Sequence, residues 1–200
     1  MNNTQHYFSQ KPSRSFTKQS LPIHVLQQDF ELYTATGLFS VKRLDPGTKL
    51  LIESIPKPTK KTRLLDLGCG NGVVGIVLQA TYPQLEVSYS DINEHAIKCV
   101  KANLQKFQQT AQVHLSDGFS ALNETYDCIA LNPPFSAGRD VCIRLIKDSY
   151  EHLEKNGVLY IVARKNKGGD YLFTKMKESF ENGEIMQRKS GFCVYASSKN

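Results

Sequence analysis

The sequence predicts an α/β domain built on a mostly parallel sheet, with an antiparallel strand pair towards each end of the chain. Three observations predict it. Short strand-like runs recur at 64–67, 87–90, 112–115, 128–131 and 158–163, and those at 128–131 and 158–163 are apolar throughout, as in strands covered on both faces. Apolar residues at helical spacing fill the stretches between them, so the chain reads as successive β-α-β units. A glycine-rich turn, LLDLGCGNGVVG over 64–75, joins the first run to a helix.

Taken in order, residues 1–20 are polar, lack the apolar segment of a signal peptide and are expected to form a tail. Residues 21–59 are expected to form a hairpin and helix extension, because apolar stretches at 23–26 and 30–34 bracket Gln27-Gln28-Asp29. Residues 60–200 then form the main domain. A helix over 72–82 places Val73, Ile76, Val77 and Ala80 on one face, and one over 93–107 does the same with Ala96, Ile97, Val100 and Leu104. Further helices are expected over 141–153 and 171–180. Strands over 183–189 and 192–196 flank the turn signal Ser190-Gly191, giving a seven-stranded sheet that ends in an antiparallel strand.

Composition narrows the partners. With 40% hydrophobic and 22% charged residues in 200, the chain is neither disordered nor a disulfide-stapled mini-protein. Its five cysteines are odd in number and show no CxxC spacing, so reduced, buried thiols in a cytoplasmic protein without a metal site are expected. No apolar run approaches the roughly 18–20 residues of a membrane span, so a membrane partner is not expected. The net charge of +6 is uneven: residues 1–60 carry 8 basic and 4 acidic residues, 61–138 carry 5 and 7, and 139–200 carry 12 and 8. A slightly acidic centre between basic flanks suits a small ligand in the middle and a polyanionic partner around it.

The chemistry lies in the turns. Gly68, Gly70, Gly72 and Gly75 stand between a strand and a helix, where they permit positive φ and let a ligand approach unpaired helix amides. Asp66 precedes them. Asp91 ends the next strand, placed to accept from ribose hydroxyls, although it could also cap the following helix, a role Asn93 fills equally well. A nicotinamide cofactor would fit these features too. Asp117, in Ser116-Asp117-Gly118, is spaced to reach a base amino group. After the fourth strand comes Asn132-Pro133-Pro134-Phe135. The prolines remove two amide donors, leaving the Asn132 amide oxygen and the Pro133 carbonyl to accept from one planar NH2 group, with Phe135 as a stacking face. An amine held so, its lone pair aimed at an electrophilic methyl, can attack in line.

The ordered set DLGCGNG, SDIN, SDG and NPPF resembles the class I S-adenosylmethionine-dependent methyltransferases, a Rossmann-like fold, over residues 60–200. Thr36-Gly37-Leu38-Phe39-Ser40, the block from Leu44 to Glu53 and the tail from Arg188 to Ala196 are similar to the small-domain (MTS) methyltransferases that modify N2 of guanine in ribosomal RNA. The N-terminal stretch from His6 resembles single-domain bacterial and archaeal relatives rather than the two-domain enzymes. The resemblance implies S-adenosylmethionine as cofactor. It implies that Asp66, Gly68, Gly70 and Gly72 line its methionine part, Asp91 with Ile92 its ribose, and Asp117 with Gly118 its adenine. Phe39 would wall the pocket, and Asn132, Pro133 and Phe135 would hold the guanine. Phosphates would meet Lys11, Arg14, Lys18, Arg139, Arg164, Lys165 and Lys167. The NPPF motif also suits adenine N6 or a protein glutamine amide as acceptor, and a cofactor-binding module without catalysis is the reading outside the class. A nicotinamide oxidoreductase is disfavoured because no Tyr/Lys or His pair presents itself as a hydride-transfer acid.

Overall fold

Each central strand sends successive side chains to opposite faces of the sheet, and both faces are dry. Strand β3 (Thr62–Leu67) shows this. Leu64 joins Cys128, Ala130, Tyr160 and Val162 in one core, while Leu65 and Leu67 join Ile129, Leu159 and Ile161 in another. The computed structural model describes residues 15–38 and 42–200. After β3 the chain runs through α2 (Val73–Thr81), β4 (Leu85–Asp91), α3 (Glu94–Lys106), β5 (Gln112–Leu115) and β6 (Tyr126–Leu131). It continues through α4 (Arg139–Glu151), β7 (Leu153–Arg164), α5 (Gly169–Phe180), β8 (Glu184–Lys189) and β9 (Phe192–Ser198). Upstream lie β1 (Lys18–Val25), β2 (Gln28–Ala35) and α1 (Pro46–Ser54).

The sheet has seven strands in the order β5-β4-β3-β6-β7-β9-β8. Strands β3 to β7 are mutually parallel, and β9 runs antiparallel to both β7 and β8. The last strand of the chain is therefore inserted between β7 and β8, and β8 takes the edge. Its exposed Glu184, Gln187, Arg188 and Lys189 keep that edge from pairing further. The order reverses at β3, where the helices after β3 and β6 diverge; ligands in open α/β sheets bind at the carboxyl ends of the strands there.

The hairpin begins at Lys18, and its turn is Leu26-Gln27 rather than Gln27-Gln28-Asp29. Both turn residues have positive φ, 50° and 59°, which matches the right-handed twist of the paired strands without any glycine. One buried side chain docks the hairpin. The Asn103 side-chain amide accepts from the Tyr33 amide at 2.6 Å and donates to the Tyr33 carbonyl at 2.9 Å and to the Asn71 carbonyl at 2.8 Å. It thus ties β2 to α3 and to the glycine turn. All five cysteines are free and buried, and burial pushes the thiols of Cys99 and Cys128 up to about 12.

Candidate active site

The chain leaves β3 through Gly68-Cys69-Gly70-Asn71-Gly72, with φ of 64°, 56° and 77° at the three glycines. Such φ values are strained for other residues. At Gly68 a side chain would meet nothing within 4 Å, so the turn leaves open space beside its backbone. The turn is strapped to the end of β4: the Cys69 amide donates to the Ser90 carbonyl at 3.0 Å, and the Gly70 amide to Asp91 Oδ2 at 2.8 Å. Gly75 does a different job from the one its spacing suggested. It lies within α2, and a Cβ there would sit 2.5 Å from the Tyr89 ring, so its role is close helix–sheet packing, not ligand approach.

Two buried carboxyl groups flank the turn. Asp66 Oδ2 accepts from the Gly75 amide at 3.0 Å. Burial pushes Asp66 up to about 7; the Gly75 bond opposes the shift and the charge of Asp91 adds to it. Asp91 is also raised by burial, while amides of Asn93, Gly70 and Ile92 hold it down. Its Oδ1 accepts from the Asn93 amide at 2.8 Å. Asn93, accepting from the His95 amide at 2.9 Å, is the cap of α3, so Asp91 is left for another partner. With the amides of Asn93, Gly70 and Ile92 directed at its two oxygens, Asp91 retains one lone pair, and Ile92 beside it is half-buried.

Asp117 lies past the end of β5, about half exposed, and its Oδ1 accepts from Arg144 at 2.6 Å. Its other oxygen is what remains for a base amino group. The neighbouring Gly118 carbonyl accepts from the hydroxyls of Ser90 and Ser116, both at 3.0 Å, which fixes this loop against the end of β4.

Asn132 follows β6 at the same edge of the sheet. Its Nδ2 donates to the Thr48 hydroxyl at 2.9 Å, and Thr48 belongs to the first turn of α1, capped by Asp45. The Pro133 carbonyl is not wholly free as the sequence suggested. It accepts from the Phe135 amide at 2.9 Å across a tight three-residue turn that leads into the short 3-10 turn Phe135–Ala137, and one lone pair remains. Phe135 is 40% exposed and stands beside Gly168, where an added Cβ would come within 3.1 Å of its ring. Sequence reasoning missed Thr48 as a site residue. The Asp-Pro-Gly-Thr pattern signals a helix start, but nothing local tells that the threonine meets a side chain 84 residues away.

The basic residues divide. Arg164 ends β7, 4.3 Å from the Phe192 ring centroid, and exposed Lys165 and Lys167 follow in a one-turn helix at the carboxyl edge. Arg139 opens α4 with its guanidinium 5.1 Å from the Tyr171 ring. Lys18 lies over the Tyr33 ring at 3.9 Å, on the hairpin. Phe39, Lys11 and Arg14 lie outside the described residues. Among the described residues no helix is long and apolar enough to cross a membrane. The arrangement offers open backbone at a glycine turn, a buried carboxylate with a spare lone pair, and an amide three residues before an exposed ring. It can hold a ribose-bearing ligand next to a planar amine.

A family model described as the methyltransferase small domain matches residues 29–196. The chain is 32% identical over 199 residues to the uncharacterized protein YbxB of Bacillus subtilis (strain 168), covering 98% of this chain and 99% of that one. It is 39% identical over 144 residues to the ribosomal RNA small subunit methyltransferase C of Shewanella sediminis, covering 70% of this chain and 41% of that one. The chain spans about half the length of the curated ribosomal RNA methyltransferases it matches, 54% in the Psychromonas ingrahamii protein. Its fold is similar to that of the T. thermophilus 16S rRNA N2 G1207 methyltransferase in complex with AdoMet and guanosine. The TM-score is 0.83 at 23% identity, covering 94% of this chain and 52% of that one.

Proposed function

This chain belongs to the methyltransferase small-domain family, and we propose that it is a cytoplasmic enzyme transferring a methyl group from S-adenosylmethionine to N2 of guanine in ribosomal RNA. The observation that carries this reading is Phe135, a large apolar ring 40% exposed three residues after Asn132 and at the same sheet edge as Asp91. An exposed ring beside an amide suits a flipped-out base, and the ribosomal RNA methyltransferases among the relatives support that acceptor.

The residues fit the cofactor. Gly68 leaves room for it against the backbone, Asp91 has a lone pair for a ribose hydroxyl, and Asp66 would set a titratable carboxyl near its cationic methionine part. Asp117 and Gly118 are assigned to the adenine. Bound there, S-adenosylmethionine supplies an electrophilic methyl. Asn132 Oδ1 and the remaining lone pair of the Pro133 carbonyl accept from the amino group of the base, fixing its plane and directing the nitrogen lone pair at the methyl. The proton leaves once the nitrogen–carbon bond has formed. Unstacking a base costs a few kcal/mol. Stacking on Phe135 offsets part of this, since base–aromatic contacts are worth about 1–3 kcal/mol. Arg139, Arg164, Lys165 and Lys167 are assigned to the RNA backbone.

Labelled cofactor with ribosomal RNA, ribosomal subunits or total protein tests the reading. Transfer to RNA by the wild type is expected, together with cofactor binding but no transfer by Asn132→Ala. Label in protein alone, or none anywhere, contradicts it.

A further inference from the structure

We propose that Thr48 is a positioning residue that sets which way round the Asn132 amide sits. The inference rests on Asn132 being the group that accepts from the amine. The two ends of an asparagine amide are nearly the same size, so shape alone does not choose between them. Only the oxygen can accept from a substrate NH2 group, so a flipped amide would present a donor to a donor.

The hydrogen bonds around Thr48 make that choice. The Asp45 carboxylate Oδ2 accepts from the Thr48 amide at 2.8 Å and from the Thr48 hydroxyl at 3.3 Å. A carboxylate can only accept, so the single hydroxyl proton of Thr48 is committed to Asp45. The Thr48 oxygen then has only lone pairs to offer, and it lies 2.9 Å from Asn132 Nδ2. Rotating the amide by half a turn would set oxygen against oxygen. The polarity therefore runs from Asn132 through Thr48 to Asp45 and leaves Asn132 Oδ1 for the substrate. Thr48 is buried, at 6% exposure, which limits competition from water. Its helix is held firmly: α1 starts so close to β9 that a Cβ at Gly47 would lie 2.7 Å from the Phe192 ring.

This links the Leu44–Glu53 block to the Asn-Pro-Pro-Phe motif far along the chain. The helix cap that starts α1 also orients the amide that ends β6.

Thr48→Val removes the hydroxyl at nearly constant volume and keeps the backbone bond that caps α1; Thr48→Ser keeps the hydroxyl. The first readout is the Asn132 side-chain amide by 15N NMR in the protein without cofactor or acceptor. Its exchange with water should accelerate about tenfold or more in Thr48→Val and stay near wild type in Thr48→Ser. The second is turnover: kcat should fall about 10–100-fold in Thr48→Val, with KM for RNA and cofactor Kd near wild type, and recover in Thr48→Ser. An Asn132 amide indifferent to Thr48→Val overturns the inference whatever the activity, and so does an altered amide with unchanged kcat. A wild type inert towards every amine acceptor, with the amide responding as stated, overturns the proposed reaction and supports the orientation.

Discussion

Asp66 sits where burial and function pull in opposite directions. Its carboxyl is raised from 3.8 to about 7, chiefly by burial. Between those values the folded chain keeps a proton that the unfolded chain has lost, so this group makes stability fall as pH rises from about 4 to about 7. Asp66→Asn keeps an acceptor for the Gly75 amide and removes the titration. Relative to wild type, the variant should gain about 2–4 kcal/mol at pH 8 in urea unfolding and nothing at pH 4. An equal gain at both values would contradict the cause assigned. At this scale the placement was readable where it is local: Asp66 lies one residue before the end of β3, Asp91 ends β4 and Asn132 follows β6, each beside a turn. It was not readable where a partner is distant, as at Thr48, nor where one residue type serves two ends, as with Gly75, which packs on Tyr89 while Gly68 leaves open space.

Among the elements, the hairpin depends on Asn103. This fully buried amide makes hydrogen bonds to Tyr33 and Asn71 that no water can replace in place. Asn103→Ala leaves the Tyr33 amide and two carbonyls without those partners, and should lower stability by about 2–4 kcal/mol. Hydrogen exchange should rise first in β2, and a loss spread evenly over the sheet would contradict the docking role. Strands and helices were legible because both faces of the sheet are dry and the helices are one-sided. The hairpin turn was misplaced because Leu26 and Gln27 occupy positive φ where Asn-Gly is the usual signal; the glycine-bearing turn at Ser190-Gly191 was placed correctly. The position of β9 inside the sheet was also hidden, since strand order is set by tertiary packing rather than by local pattern.

Over the whole molecule, the charge is uneven along the chain. The acidic middle of the chain holds Asp66, Asp91 and Asp117, and the C-terminal flank sets Arg164, Lys165 and Lys167 at the carboxyl edge of the sheet. Some of the flank cations are committed elsewhere: Arg144 pairs with Asp117, Lys175 with Glu178 and Lys49 with Glu53. Among the described residues Lys165 is in no ion pair, and it is exposed. Lys165→Glu should weaken RNA binding about tenfold at low salt and reduce the slope of affinity against salt by about one phosphate contact. Cofactor affinity should not change. Unchanged RNA affinity would remove Lys165 from the interface. The central claim is that the Asn132 edge takes an exocyclic guanine amine, and nucleoside analysis of labelled ribosomal RNA tests it most directly. The account predicts that the label appears as N2-methylguanosine with wild type and is absent with Asn132→Ala that still binds cofactor; label in N6-methyladenosine, or full transfer by that variant, would contradict it.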